Sequence, residues 1–296
     1  MKKTMGVWDP ENWPIYFAAF TPQFPESIVR PLERVLIAVN ELNSKKLEDN
    51  LRSIAKQKPV LLDSGVFSLT TKHAAIHGVT MDIALSTPPE EIDGFDELYE
   101  RYVRIVLEMS SLLWGIVEID FGGRENKIKT RTKLEAAGIV PIPVWHPLND
   151  GWDYFDYLAA NYDRICLGNI VNADDQVRKR LVATAWERRR KYPHLWIHGL
   201  GLSPGTLTNA FPLNSCDSST WISPLRWGQH SVRIAAQSSD ALGLQFVYEY
   251  GDSKSEKGWD KAAELCSYDA TMLSRQMGLM ADEQEAELGC DIGMFT

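Results

Sequence analysis

Cysteine is scarce in this chain: among 296 residues there are only Cys166, Cys216, Cys266 and Cys290, tens of residues apart and without a C-x-x-C pair. That spacing excludes a zinc site built from cysteine alone and argues for free thiols in a reducing compartment, expected to be the cytoplasm. Long apolar runs are also missing. No stretch approaches the ~20 residues that cross a bilayer, so no membrane anchor is expected. The opening Met1-Lys2-Lys3-Thr4-Met5, soon followed by Trp8-Asp9-Pro10-Glu11-Asn12, lacks the apolar core of a signal peptide. Positive charge is short as well. A net charge of −9 weighs against a protein that coats nucleic acid. No repeat of fixed period and no low-complexity tract stands out.

What is present is an ordinary globular composition, 44% hydrophobic and 24% charged. Strand-like and helix-like segments alternate along it. Strand candidates are Ile15 to Phe20, Val35 to Asn40, Val60 to Asp63, Leu113 to Asp120 and Ile139 to His146, the last despite Pro141 and Pro143. Others follow near 164–169, 195–200, 212–217 and 244–249. Helical patterns occupy residues 44–57, 92–110, 125–137, 151–161, 174–191 and 259–277. Short apolar runs between helices imply a parallel sheet, and about eight of them favour a closed one. The expected fold is α/β: a (β/α)8 TIM-type barrel as a single domain over residues 1–277. A flexible loop is expected at 251–258, and an acidic C-terminal tail at 278–296.

The chemistry gathers where these strands end. Asp63-Ser64-Gly65, Asp120-Phe121-Gly122-Gly123 and Ser215-Cys216-Asp217-Ser218 each put an aspartate at or just past a strand terminus. Singly, each reads equally as a turn or a helix cap. Together, they would bring three carboxylates to one rim of a barrel, an arrangement that favours acid, base or nucleophilic work. Rim carboxylates without a metal-ligand cluster suit glycosidic-bond chemistry. Gly168, Gly199 and Gly201 would let backbone amides approach a planar ligand, and Asn169 and His146 would add hydrogen bonds. His146 reads equally as a structural residue between Trp145 and Pro147, and His198 as a satisfied core histidine. Trp221, Arg226 and Trp227 follow Asp217 and offer a stacking wall, or simply core. Two basic groups, one containing Arg178, Lys179, Arg188 and Arg189 and the other Lys127, Lys129, Arg131 and Lys133, are either solvated helix faces or phosphate contacts.

Taken in order, these segments resemble the tRNA-guanine transglycosylase superfamily, and within it the compact phage and bacterial relatives that place 7-deazaguanines into DNA. Asp63-Ser64-Gly65-Val66-Phe67 is similar to the family's Asp-Ser-Gly-Gly-Phe, and Asp120 matches its base-reading aspartate. Ile165-Cys166-Leu167-Gly168-Asn169 resembles Tyr-Ala-Leu-Gly-Gly. His198-Gly199-Leu200-Gly201-Leu202-Ser203-Pro204 resembles Met-Gly-Val-Gly-Thr-Pro-Glu. Ser215-Cys216-Asp217-Ser218-Ser219-Thr220-Trp221 is similar to the compact relatives' Ser-x-Asp-Ser-x-x-Trp. The resemblance spans roughly residues 58–228. It departs at the C-terminal zinc-binding cysteine cluster, which is missing. It also departs at the base-reading glutamine, where Val144-Trp145-His146 stands, and at the second glycine, replaced by Asn169.

The resemblance implies exchange of guanine in a polynucleotide, DNA favoured over tRNA, for a free 7-deazaguanine base. Asp217 is then the nucleophile and Asp63 the general acid/base. Ser64, Gly65, Phe67, Asp120, His146, Gly168, Asn169, Gly199 and Gly201 would line the base site. Trp221, Arg226, Trp227, Arg178, Lys179, Arg188 and Arg189 would meet nucleic acid. No cofactor and no metal are called for, and the compartment becomes a host cytoplasm if the gene is a phage's. Two alternatives stay open: a barrel N-glycoside hydrolase acting on a small nucleoside, and a non-catalytic barrel that binds nucleic acid or protein. Nothing in the sequence indicates an oligomeric state.

Overall fold

A computed structural model describes residues 1–9, 15–24, 26–30, 32–204, 207–208, 211, 213–222, 229–233 and 245–249. Its centre is a sheet of eight parallel strands: β1 (Ile15–Ala19), β2 (Val35–Ala38), β3 (Val60–Asp63), β4 (Gly115–Ile116), β5 (Val144–Trp145), β6 (Arg164–Leu167), β7 (Trp196–Gly199) and β8 (Ser215–Ser218). Their order is β4-β3-β2-β1-β8-β7-β6-β5, so β1 pairs with both β2 and β8. The sheet curls until β4 and β5 face each other across a seam with a single parallel bridge, Val117 to Ile142. This is an α/β arrangement compatible with a TIM-like fold, but among the described residues no ladder joins β4 to β5, so the barrel expected to close stays open at the seam. The helices α1 (Glu26–Val29), α2 (Lys45–Ala55), α3 (Val66–His77), α4 (Met81–Ser86), α5 (Phe95–Met109), α6 (Gly123–Ala136), α7 (Trp152–Asn161) and α8 (Asp175–Arg189) lie between the strands in sequence.

Three points differ from the sequence expectation. The segment near 244–249 is a strand, β10 (Gln245–Glu249), but it pairs antiparallel with β9 (Gln229–Arg233) in a separate sheet. Helices α3 and α4 occupy a stretch with no amphipathic pattern to announce them. Phe67 and Ile76 on α3 and Ile83 on α4 are exposed apolar residues. The long strand expected over Ile139 to His146 shrinks to β5 and the Ile142 bridge. Pro141 and Pro143 have no N–H to give a ladder, although the Pro143 carbonyl still accepts from Cys166 N–H at 2.8 Å. The expected helix at 259–277, the loop at 251–258 and the tail at 278–296 lie outside the described residues.

Two apolar layers account for the packing. One lies between sheet and helices and includes Ile37, Leu62, Tyr102, Val106, Leu134, Phe155, Leu158 and Ile165. The other fills the curl with Ile15, Phe17, Leu36, Leu61, Trp114, Val117, Ile142, Val144, Cys166 and Trp196. Because side chains alternate along a strand, residues two beyond these inward positions also point inward. The floor, at the amino ends of the strands, is sealed by Arg164. Its guanidinium donates to the carbonyls of Trp114 at 3.0 Å and Met5 at 2.7 Å, and lies 4.6 Å from the Trp8 ring. Burial pulls this group down to about 9, still charged at neutral pH. The N-terminal segment is held there by Thr4, whose N–H and hydroxyl both donate to Asp163.

At the seam, Ile142 N–H donates to the Ile116 carbonyl at 2.7 Å and Glu118 N–H to the Ile142 carbonyl at 3.0 Å. The next inward amide, Val144 N–H, finds no backbone acceptor and donates to Glu118 Oε1 at 2.6 Å. Arg131 of α6 donates to the other oxygen, Oε2, at 2.8 Å, and to the Tyr154 hydroxyl at 2.9 Å. Lys127 pairs with Asp150, whose Oδ2 also accepts His146 N–H at 2.7 Å. Lys127 and Arg131 are therefore buried structural cations, not phosphate contacts. Arg131→Leu leaves the buried Glu118 without its counter-ion in the interior. A loss of about 3–5 kcal/mol is expected in urea unfolding, and a loss under about 1 kcal/mol would show that the pair does not hold the seam.

Candidate active site

The period of two sets the site. Leu61, Val144 and Cys166 face into the curl, so Asp63, His146 and Gly168, two residues on, stand in the next layer toward the carboxyl ends of the strands. In β7 and β8, His198 follows inward Trp196, and Asp217 follows Ser215. Asp120 lies just past β4. Electrostatics shows that the aspartates share one region: the Asp63 carboxyl is pushed up to about 7 by burial first, then by Asp120, with a further contribution from Asp217. The thiol of Cys166, beneath them, is pushed well up by burial and by Asp217, Asp63 and Asp120 together. Cys166 and Cys216 are both buried, and a thiol so placed is a poor nucleophile.

Each aspartate has a different partner. Asp63 accepts the N–H of Gly65 at 3.0 Å on Oδ2. Gly65 sits at a positive φ of 80°, where an added Cβ would come within 2.4 Å of Asn40 Oδ1. Asp120 Oδ2 lies 2.8 Å from His146 Nε2, and the His146 ring is nearly enclosed. Gly168 makes room for that ring, since a Cβ there would meet His146 Nε2 at 3.1 Å and Val144 Cγ1 at 2.6 Å. Asp217 Oδ1 accepts from His198 Nε2 at 3.1 Å and from Gly201 N–H at 2.9 Å.

Several expected contacts are spent elsewhere. Gly201 N–H serves Asp217, and Gly168 N–H donates to the Trp145 carbonyl at 3.0 Å, so neither amide is turned to a ligand. Gly199 is packed against Leu213 and Leu202. Ser64 is buried, and its hydroxyl oxygen accepts the N–H of Val66, the first residue of α3, at 3.4 Å. Asn169, at a φ of 57°, donates to Asn149 at 3.0 Å and accepts from Asn172, tying the loops after β5 and β6 together. Phe67 is exposed at the start of α3.

The expected nucleic-acid wall is corrected. Trp221 is fully buried, and its indole N–H donates to the Ala19 carbonyl at 3.0 Å, so it offers no stacking face. Arg178 donates to the carbonyls of Ile170, Val171 and Ala173. Arg188 pairs with Asp156 and lies 4.9 Å over the Trp152 ring. Lys179 pairs with Asp175 on the same helix, and Arg189 is partly buried. Helix α8 thus docks its two ends through Arg178 and Arg188, while Lys179 stays exposed. Arg226 and Trp227 lie outside the described residues. The residue that sequence reasoning undervalued is His198: it is buried and satisfied, as a core histidine would be, but one of its partners is Asp217. Its position two residues after an inward tryptophan was the available signal.

No protein-family model matches the chain, and no curated protein matches it.

The raised Asp63 carboxyl makes stability depend on pH. An acid whose folded-state affinity for protons exceeds its unfolded value near 4 favours the native state fully at low pH. That contribution is lost as pH rises from about 4 through about 7. Asp63→Asn removes the penalty, so above pH 7 the variant is expected to unfold at higher urea than the wild type, with the gap closing below pH 5. The gain is at most about 4 kcal/mol, and less because the carboxyl keeps an edge open to solvent. A pH-independent difference would refute the assignment.

Proposed function

We propose that the chain is a (β/α)8-barrel transglycosylase that exchanges guanine in a polynucleotide for a 7-deazaguanine base through a covalent aspartyl-glycosyl intermediate. The observation that carries this is the gathering of Asp63, Asp120 and Asp217 in one region, each in a different environment. Asp63 takes up and releases a proton near neutral pH, which suits a general acid/base. Asp217 has one oxygen bonded by two donors, while Oδ2 has no hydrogen bond among the described residues. That is the geometry of an oriented carboxylate nucleophile.

In the first half-reaction Asp217 Oδ2 attacks C1′ of the target nucleoside as the C1′–N bond breaks, and Asp63 gives its proton to the departing base. In the second, the incoming base loses its proton to Asp63 and attacks C1′, and the Asp217 carboxylate leaves. Asp120, oriented by His146, accepts from the N–H edge of the base. DNA is favoured over tRNA because the resemblance is to the compact relatives, and a duplex substrate would have its nucleotide flipped out.

A second reading is favoured by one observation. Trp221 is buried and Arg178 and Arg188 of α8 are engaged in the fold, which suits an N-glycoside hydrolase acting on a small nucleoside. Labelled 7-deazaguanine separates the two: incorporation into polynucleotide supports transfer, whereas release of free base without incorporation supports hydrolysis. Asp217→Asn is expected to abolish the covalent nucleic-acid adduct, seen as a band stable to denaturation, with an unchanged melting temperature. An adduct formed by this variant at the normal rate would reassign the nucleophile. Asp120→Ala should weaken base binding by about 1–3 kcal/mol, measured by calorimetry, with a smaller effect on stability.

A further inference from the structure

Trp196, Ser215, His198 and Asp217 form a buried chain whose direction is set by its two ends. An indole N–H can only donate, so at 2.8 Å from Trp196 Nε1 the Ser215 oxygen accepts. At the other end the Asp217 carboxylate can only accept, so Nε2 carries the proton and the Ser215 hydroxyl is left to donate to His198 Nδ1, also at 2.8 Å. An Nδ1 that accepts puts the ring proton of neutral imidazole on Nε2, which faces Asp217 Oδ1 at 3.1 Å. The ring is further fixed edge-on against Phe17, with centroids 5.9 Å apart. Every member is buried: Trp196 is 2% exposed, Ser215 0%, His198 1% and Asp217 5%. The Gly201 amide adds a second donor to the same oxygen.

We propose that His198 is a positioning residue for Asp217, fixing which oxygen attacks and stabilising the carboxylate as it leaves the sugar. This rests on the transglycosylase reading of Asp217. With Oδ1 held by His198 and Gly201, Oδ2 is the oxygen presented to C1′. When the C1′–Oδ2 bond breaks and the new C1′–N bond forms, the electron pair returns to the carboxylate, where the two donors meet the charge. A donor so placed favours the free carboxylate over the ester, so its loss slows breakdown of the adduct more than formation.

The test uses the full chain with a guanine-containing oligonucleotide and a 7-deazaguanine base. His198→Phe keeps a flat ring without donors, and His198→Gln keeps an N–H. Breakdown of the adduct is expected to slow ~100-fold in His198→Phe, so that adduct accumulates, and to recover to within ~10-fold of wild type in His198→Gln. If His198→Phe does not fold, Ser215→Ala, which keeps the ring and removes the hydroxyl, is expected to slow breakdown about tenfold. Independently of turnover, nitrogen-15 NMR of histidine-labelled protein should show His198 protonated at Nε2 and bare at Nδ1. A bare Nε2, or a folded His198→Phe whose adduct breaks down at the wild-type rate, overturns the proposal. So does a Ser215→Ala variant with unchanged breakdown where His198→Phe does not fold. A wild-type chain with the expected tautomer that forms no adduct overturns the transglycosylase reading instead, and this role in turnover with it.

Discussion

The seam between β4 and β5 is the constraint on which the site rests. A parallel ladder would give Val144 N–H a backbone acceptor, but here it donates to the Glu118 carboxylate. A buried charge in that position is tolerable only because Arg131 meets the other oxygen. The two residues that the seam positions are Asp120, two beyond Glu118, and His146, two beyond Val144. The Asp120–His146 contact at the mouth is thus set by the Glu118–Arg131 contact behind it. Lys127 and Asp150 extend the same network to the backbone N–H of His146. The charge of α6, which looks like a surface feature in sequence, is partly spent inside, at the seam.

Opposite the seam, polarity is handled differently. Asp217 is surrounded by donors: a histidine ring aligned by Ser215 and Trp196, and the Gly201 amide. Asp63 accepts Gly65 N–H and otherwise meets burial and like charge. Burial and like charge thus raise the Asp63 carboxyl, whereas Asp217 is oriented by two donors on one oxygen. The floor of the curl has the opposite character. There Arg164 is ringed by carbonyls and tryptophans and carries stability rather than chemistry.

Much of this was legible before any coordinates. The aspartates at positions 63, 120 and 217 stand at strand ends because a short apolar run followed by an acidic turn has few other ways to fold. The positions of Gly65 and Gly168 also followed from local chemistry, although Gly168 proved to admit a histidine ring rather than a ligand. What misled was charge and aromaticity taken as surface. Trp221, Lys127 and Arg131 are interior, and a linear pattern cannot tell a solvated cation from one neutralised by a partner tens of residues distant. The segment at 245–249 has the alternation of a strand but no information on which sheet it joins.

By itself, then, the chain determined its strands, the inward and outward alternation within them and the acidic turns at their ends, because these depend on neighbours a few residues apart. Only the tertiary structure decided which oxygen of Asp217 is held, that His198 is its partner, and that Glu118 bridges the seam. Those outcomes depend on side chains from separate strands and helices meeting in a space from which water is excluded. There, an unmet donor or charge costs enough to select one arrangement.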